Sequence, residues 1–166
     1  KYIDQFKNFG IGSDGISEGP GTNAKMPEVS AALGVLQLKY IDNQIYARKC
    51  VYERYKQNIK NFPKIAFPAL DKVKRPNFSY LPIRIKQQSR VSLDDLIAKM
   101  NARNIFPRKY FNPLVSNLEQ FSHEPSSEKN NLPVANQLVG EVLCLPIYEH
   151  LDVSTIDEIC EIILRI

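Results

Sequence analysis

The amino-acid sequence predicts an α+β fold, in which a long helical segment precedes a small sheet covered by helices on one side. Apolar side chains recur at helical spacing through residues 27–60, in two stripes that are out of phase. We therefore expect this helix to bend or break between residues 38 and 42, as a connector between two lobes would. A single long core helix is the alternative that the spacing leaves open.

After residue 62 the sequence changes to short stretches that alternate between strand and helix patterns, which is typical of a small α+β layer. Pro82 lacks a backbone donor, so we expect its strand to lie near a sheet edge or a bulge. Ser92 and Asp95 have the spacing of a capping box. The predicted elements are a strand at 78–85, a helix from 92 to about 103, a strand at 105–111, a polar loop at 112–131, a helix at 133–142, a strand at 143–146 and a last helix capped by Ser154.

Composition and charge indicate a soluble globular chain and argue against nucleic-acid binding. Of the 166 residues, 43% are hydrophobic and 24% are charged, and the formal net charge is +4. One loose basic cluster has no interleaved aromatic residues, so a solvated loop explains it better than a nucleic-acid groove. Its members are Lys60, Lys64, Lys72, Lys74 and Arg75. We find neither a membrane-spanning pattern nor a secretory leader, and we expect a cytoplasmic protein.

Three cysteines, Cys50, Cys144 and Cys160, are widely spaced and lie among apolar residues. This number and spacing predict buried, reduced thiols rather than a disulfide framework. Neither His123 nor His150 stands at metal-ligand spacing from a cysteine, so we expect no metal site.

A short polar loop at residues 21–23 leads into the helix that Pro27 and Glu28 open. Backbone N–H groups without partners and the helix dipole at such a position favour a negatively charged group, for example a phosphate. Asn23 is the candidate ligand in this loop. A turn residue that hydrogen-bonds its own backbone is the alternative.

Gly10, Gly12 and Gly15 match the pattern G-x-G-x-x-G. The dinucleotide fingerprint needs a strand before the glycines and a helix after them. Polar residues and Pro20 follow instead, so we interpret the match as accidental.

Residues 21–38 read GTNAKMPEVSAALGVLQL, and further blocks flank them in order. The flanking blocks are KNFG at 7–10, RKYFNPL at 108–114, LPVA at 132–135 and VLCLPIY at 142–148. Together they resemble the G-x-N-x-(R/K)-M-x-E…A-A-x-G…Q-L signature and its companions in the DegT/DnrJ/EryC1/StrS family. Members of that family are pyridoxal-phosphate-dependent sugar aminotransferases of fold type I.

The resemblance implies that the chain is the C-terminal portion of such an enzyme. Residues 1–25 would be a remnant of the large cofactor-binding domain together with the motif loop. Residues 26–60 would form a connecting helix, and residues 61–166 the small C-terminal α+β domain.

In the family, a lysine of the large domain forms the internal aldimine with pyridoxal phosphate, and an aspartate pairs with the pyridine nitrogen. Only Lys1 and Lys7 precede Asn23 here, and neither has the surroundings of that lysine. We therefore expect no catalytic residue in this chain, no cofactor bound to it alone and no activity of the isolated chain.

The resemblance also implies binding roles for three residues. Asn23 takes the place of an asparagine that reaches across the dimer interface to the phosphate of the neighbouring subunit's cofactor. Lys25 stands where many relatives have an arginine near the substrate carboxylate or the nucleotide phosphates, and it offers a point charge instead of a planar fork. Tyr110 belongs to the motif that faces the sugar. The alternatives are a solvated surface lysine for Lys25 and core packing for Tyr110.

The function that the resemblance implies is the transfer of an amino group from an amino acid, usually glutamate, to a nucleotide-linked 4-keto or 3-keto 6-deoxy sugar in a homodimer. A non-catalytic, stand-alone interaction or structural domain is the alternative, and the absent lysine favours it for the isolated chain. The apolar face of the helix at 27–38 would then be exposed, and we expect self-association to cover it.

Overall fold

A computed structural model describes residues 2–86 and 92–166 of the chain. The chain divides into two compact units, of which the first unit is Lys1–Asp42 and the second unit is Asn43–Ile166. The division into three parts given above stays a prediction. Within the described residues, none of the helices is both long and apolar enough to cross a membrane.

The first unit contains helix α1 (Tyr2–Phe6), a loop and helix α2 (Glu28–Leu38). Both helices lie within the described residues, and neither contains a buried residue. The prediction that Pro27 is the first helical residue is wrong by one position. Pro27 occupies the N-cap position with an extended ψ of 143°, and it supplies no side-chain cap.

The long helical segment is interrupted after Leu38, where the apolar stripe changes phase. Lys39 and Tyr40 donate their N–H groups to carbonyls only three residues back, at 3.1 and 3.0 Å. Helix α3 (Ile41–Ile59) begins directly afterwards. The structure therefore has the interruption that the change of stripe predicted, and the single long helix is wrong.

The second unit contains a three-stranded antiparallel sheet in the order β1–β2–β3. Its strands are β1 (Ile65–Ala66), β2 (Leu81–Ile85) and β3 (Val142–Leu145). Successive side chains of β2 alternate between buried and half-buried, as expected for a strand with one covered face.

Helices α3, α4 (Leu93–Asn101) and α6 (Val153–Leu164) supply the apolar residues that pack with the covered face of the sheet. The largest fully buried side chains are Tyr55, Ile59, Leu81, Ile83, Leu96, Met100, Leu143, Ile156, Ile159 and Ile163. The predicted α+β class is confirmed. The predicted loop at 112–131 contains four short 3₁₀ turns, and helix α5 (Pro133–Leu138) follows it.

β2 is the central strand of the sheet, so the edge or bulge expected at Pro82 is wrong for the strand as a whole. Ile85 donates its N–H to Glu141 O at 2.8 Å. Backbone donors alternate in direction along a strand, so the nitrogen of Pro82 faces away from β3. On that side β1 pairs only with Arg84 and Ile85. The missing N–H of Pro82 therefore lies where β1 has already ended.

Residues 105–111 do not form the predicted strand. Arg108 alone pairs with β3, exchanging two backbone hydrogen bonds with Cys144 at 3.0 and 2.8 Å. The next hydrogen-bonded pair would set Phe106 against Pro146, which has no N–H to donate. On the other side the chain enters a turn. The pairing is therefore limited to one bridge.

Two helices of the second unit begin with side-chain caps. At α4, the Ser92 hydroxyl accepts from the Asp95 N–H at 3.1 Å and the Asp95 carboxylate accepts from the Ser92 N–H at 3.3 Å, which confirms the capping box. At α6 the prediction of Ser154 as the cap is wrong, because Asp152 takes that position. The Asp152 carboxylate accepts from the Ser154 hydroxyl at 2.6 Å and from the Thr155 N–H at 2.8 Å. These hydrogen bonds lower the pKa of Asp152 to about 2.

Cys144 and Cys160 are buried as predicted, whereas Cys50 is exposed. The buried face of α3 includes Val51 and Tyr55. Each residue of an α-helix is rotated by about 100° from the one before it. Cys50 therefore points away from the face that its neighbour Val51 presents to the core.

Ion pairs tie the elements of the second unit together. Arg54 of α3 donates two hydrogen bonds to Asp157 of α6 at 2.8 and 2.6 Å, and Asn58 donates a third at 2.7 Å. Arg84 of β2 pairs with the carboxylate of Glu141, which is buried. Donation from Arg54 and then Asn58 lowers the pKa of Asp157, and donation from Arg84 lowers the pKa of Glu141.

We predict that the second unit loses stability in acid because three carboxyl groups have lower pKa values when folded. In the unfolded chain Asp152, Asp157 and Glu141 have ordinary pKa values of 3.8, 3.8 and 4.5. Their contribution to stability is complete above the unfolded values and is lost as the pH falls through the folded ones, toward about 2 for Asp152. We expect the urea midpoint to fall steeply below about pH 4.

The variant Asp157→Asn should have a lower urea midpoint than the original chain near neutral pH, and the difference should narrow in acid. Glu124→Gln, which changes an exposed loop carboxylate, is the matched control and should follow the original chain throughout. If the curves of Asp157→Asn and the original chain run parallel at every pH, the Arg54–Asp157 pair does not cause the acid sensitivity.

Candidate functional site

The candidate site in the first unit depends on a close crossing of two loop segments. A Cβ atom on Gly21 would stand 1.9 Å from the Gly10 nitrogen. Gly10 has a φ of +74°, a left-handed conformation that glycine adopts without strain. The two segments can approach this closely because both positions are glycine.

Backbone hydrogen bonds fix the chain on both sides of Asn23. Thr22 donates its N–H to Phe6 O at 2.8 Å, and Ala24 donates its N–H to Lys7 O at 2.9 Å. The segment after the crossing is therefore held against the end of α1.

The side chain of Asn23 is exposed, and it makes no hydrogen bond with any residue that the structure describes. The structure does not have the bond to its own backbone that the turn-residue alternative requires. A carboxamide carries two N–H donors and a carbonyl acceptor. Asn23 therefore offers two donors to a ligand from a fixed backbone.

Lys25 is exposed, and its Nζ lies 5.7 Å from the centre of the Phe9 ring, which is a cation–π distance. Phe9 has a φ of +58°, a left-handed conformation that is uncommon for a bulky residue. Within residues 2–86 and 92–166, Lys25 has no carboxylate partner. Its positive charge is thus held near the loop without being neutralised there.

The N-terminus of α2 adds backbone donors close to this loop in sequence. The first hydrogen bond at this end of the helix is the one that Ala31 donates to Pro27 O at 2.9 Å. In the described part of the chain, the N–H groups of Glu28, Val29 and Ser30 have no acceptor. These open donors are what the sequence predicted for a loop at a helix start.

Tyr110 lies in the second unit, where it belongs to an exposed aromatic cluster. Its ring meets the Tyr80 ring edge to face, with centroids 5.5 Å apart at 85°, and stacks on Phe111 at 5.1 Å and 22°. The exposed fractions of Tyr80, Tyr110 and Phe111 are 59%, 38% and 74%. Tyr110 is therefore not a core residue.

Sequence reasoning missed Tyr80 as a neighbour of Tyr110. The signal that could have found it is strand alternation. Tyr80 directly precedes Leu81, which is buried, so the next side chain back is expected on the opposite, open face. The three predicted site residues are divided between the units, with Asn23 and Lys25 in the first and Tyr110 in the second.

α2 also presents an apolar groove of about 480 Å³ in the first unit. Its lining residues are Met26, Ala31, Gly34, Val35, Gln37, Leu38 and Ile41. The exposed fractions of Val29 and Leu38 are 82% and 71%, which is high for apolar residues of a helix. The groove lies on the other side of α2 from the predicted apolar stripe, to which Val29 and Leu33 belong and which is exposed as well.

Along the chain, a donor-rich loop is followed by a helical segment and then by a three-stranded antiparallel sheet. This order and fold are those of an aminotransferase of fold type I outside its cofactor domain. The chain belongs to the DegT/DnrJ/EryC1/StrS aminotransferase family, whose model matches residues 1–164.

Two curated relatives have the name dTDP-4-amino-4,6-dideoxy-D-glucose transaminase. The one from Escherichia coli is 38% identical over 162 residues, which cover 98% of this chain and 44% of the relative. The one from Shigella dysenteriae is 34% identical over an alignment of 166 positions, which covers 95% of this chain and 44% of the relative. The chain thus spans under half the length of the curated relatives it matches.

Solved structures agree in fold. The structure of DesI in the presence of its TDP-sugar product matches with a TM-score of 0.81 at 25% identity, over 98% of this chain and 41% of that chain. The structure of DesV from S. venezuelae matches with a TM-score of 0.82 at 22% identity, over 98% of this chain and 42% of that chain.

We predict that Gly21→Ala opens the crossing that holds Asn23. The new Cβ atom would overlap the Gly10 nitrogen, so the bonds donated by Thr22 and Ala24 should be lost. Hydrogen exchange of these two amides should then approach the rate of unprotected amides. Gly19→Ala is the matched control, because a Cβ atom there meets nothing within 4 Å. Unchanged protection of the Thr22 and Ala24 amides in Gly21→Ala would contradict the claim that the crossing holds the segment around Asn23.

Proposed function

We propose that these residues form the C-terminal portion of a pyridoxal-phosphate-dependent aminotransferase that moves an amino group from glutamate to a nucleotide-linked keto sugar. The observation that carries the proposal is the position of the family motif. Its asparagine, Asn23, stands exposed on a pinned backbone with both amide donors free.

The keto group is proposed to lie at C4 of a dTDP-linked 6-deoxy sugar. Both curated relatives above 30% identity have names that specify a 4-amino-4,6-dideoxy product. A relative that is 24% identical has a name that specifies a 3-amino product, so the C3 position is the second choice.

The residues present in the loop fit the phosphate of the cofactor. Pyridoxal phosphate, when bound, supplies the electron sink for amino transfer. Its phosphate is an acceptor of several hydrogen bonds. The loop offers donors without competing acceptors in Asn23 and Lys25, and the start of α2 offers the open N–H groups of residues 28–30. In our proposal Asn23 serves the cofactor of a neighbouring subunit, so the intact enzyme is a homodimer.

Lys25 and Tyr110 are proposed to bind the substrate. The ammonium of Lys25 would attract the substrate carboxylate or the nucleotide phosphates as a point charge. The exposed ring of Tyr110, supported by Tyr80 and Phe111, would form an apolar wall against the sugar. We propose a cytoplasmic enzyme, with the three free cysteines as support.

These 166 residues are proposed not to transaminate by themselves, because neither Lys1 nor Lys7 has the surroundings of the family's cofactor lysine. The second candidate function, a stand-alone interaction or structural domain without catalysis, rests on the same observation. A titration of the chain with pyridoxal phosphate, followed by borohydride, distinguishes a cofactor-binding lysine from none. We expect no stoichiometric attachment, and one fully labelled lysine would contradict this proposal.

A graft tests the proposed function directly. We predict that residues 1–166, put in place of the matching segment of the Escherichia coli relative, yield a protein that transfers the amino group of glutamate to the dTDP-linked 4-keto sugar. In this graft Asn23→Asp should raise the Kd for pyridoxal phosphate at least about tenfold, because two donors are lost and a negative charge faces the phosphate.

Asn117→Asp is the matched control for the graft, since Asn117 is an exposed asparagine of the second unit. It should leave the Kd for the cofactor unchanged. A graft that binds pyridoxal phosphate normally but transfers no amino group to the 4-keto sugar would contradict the proposed substrate. Equal effects of Asn23→Asp and Asn117→Asp would contradict the role of Asn23.

We also predict that the isolated chain self-associates through the exposed apolar face of α2. That face is the predicted apolar stripe, which includes Leu33 with 55% of its surface exposed. Leu33→Glu should therefore yield a monomer in multi-angle light scattering. Leu164→Glu, at an exposed position of α6, is the control and should leave the association intact. A monomeric original chain at high concentration would contradict the prediction.

A further inference from the structure

Asn8 stands directly opposite Asn23 in the isolated antiparallel bridge of the first unit. Phe9 donates its N–H to Thr22 O at 3.2 Å on one side of this pair, and the bond from Ala24 flanks it on the other. Asn8 and Asn23 do not themselves exchange backbone hydrogen bonds. They are therefore a non-hydrogen-bonded pair, in which the two side chains lie on the same side with their Cβ atoms about 4.5–5.5 Å apart.

The backbone of Asn8 is fixed by its own hydrogen bonds. Its N–H donates to Gln5 O at 3.0 Å, and its carbonyl accepts from the Ile11 N–H at 3.0 Å. Its side chain is half-buried, and no described residue forms a hydrogen bond with that side chain. Among the described residues, no buried side-chain nitrogen or oxygen lacks a partner, so the carboxamide atoms of Asn8 are accessible to water or to a ligand.

Two carboxamides without partners thus project side by side from a rigid bridge. The ammonium of Lys25, two residues after Asn23, lies over the ring of Phe9, the residue that follows Asn8. Among the described residues, no carboxylate forms an ion pair with this lysine. The chemistry of the set is that of several N–H donors with one positive charge, which suits a phosphate group.

We propose that Asn8 and Asn23 act as a two-amide clamp on one phosphate group. The clamp rests on the proposed function, in which Asn23 alone binds the phosphate of the cofactor, and it adds Asn8 as a second ligand of the same group. The nucleotide of the substrate presents phosphate oxygens of the same kind, so the test distinguishes the cofactor from the nucleotide as their source.

The test uses the ¹⁵N-labelled 166-residue chain and follows the side-chain NH₂ signals of its asparagines by NMR. The probes are pyridoxamine 5′-phosphate, dTDP and pyridoxamine, which has no phosphate. The isolated chain is not expected to retain the cofactor, so the probe is added at millimolar concentration, where contact with the clamp alone is measured. We expect pyridoxamine 5′-phosphate to shift the NH₂ signals of Asn8 and Asn23 together with one apparent Kd, and pyridoxamine to shift neither. A stronger response to dTDP would identify the nucleotide as the source of the phosphate.

Asn8→Asp should weaken binding of pyridoxamine 5′-phosphate at least about tenfold, as Asn23→Asp should, and Asn117→Asp should leave it unchanged. Asn8→Ala is the second variant, and hydrogen exchange of the Thr22 amide shows whether each variant keeps the bridge. A shift at Asn23 alone, or unchanged affinity in a folded Asn8 variant, would overturn the clamp and leave the proposed function standing. A shift at neither residue would overturn the clamp as well, and the graft assay would judge the proposed function separately.

Discussion

The crossing of Gly21 over Gly10 is the constraint on which the candidate site depends. Because neither position carries a Cβ atom, the returning segment comes close enough to hydrogen-bond with the end of α1. Those bonds use main-chain groups only, so the side chains of the segment are not consumed in holding it. The loop can therefore be rigid and still offer free donors, which are the two properties that a phosphate-binding loop needs.

In the second unit, the residues that stabilise the fold and the residues proposed to bind substrate lie in different places. Its core forms between helices and one face of the sheet, with ion pairs such as Arg54–Asp157 joining the helices. Nothing in that core requires an exposed ring at Tyr80 or Tyr110. Substitutions on this open surface should therefore alter binding with little effect on folding, whereas substitutions on the covered face act on folding first. The division makes the roles of the two faces separable by experiment.

Sequence predicted the features that depend on neighbours along the chain and missed those that depend on partners across it. The Ser92 box is local, and it was predicted correctly. Asp152 and Ser154 are both good caps, and their competition is decided by where the helix starts. The central strand can contain Pro82 only because β1 ends before it reaches that position. Likewise Asn23 carries a motif, but no local pattern indicates that Asn8 lies opposite it, because that register follows from the glycine crossing.

The three cysteines differ sharply in their surroundings. Burial raises the pKa of the Cys160 thiol to about 11 and also raises the pKa of the Cys144 thiol, so both remain protonated near neutral pH. Cys50 is exposed on α3, close in sequence to the division of the chain at residues 42 and 43. A maleimide dye or spin label would consequently attach to one position without any engineering of the chain. The protein thus contains a natural attachment point for a spectroscopic reporter on the helix that joins its two units.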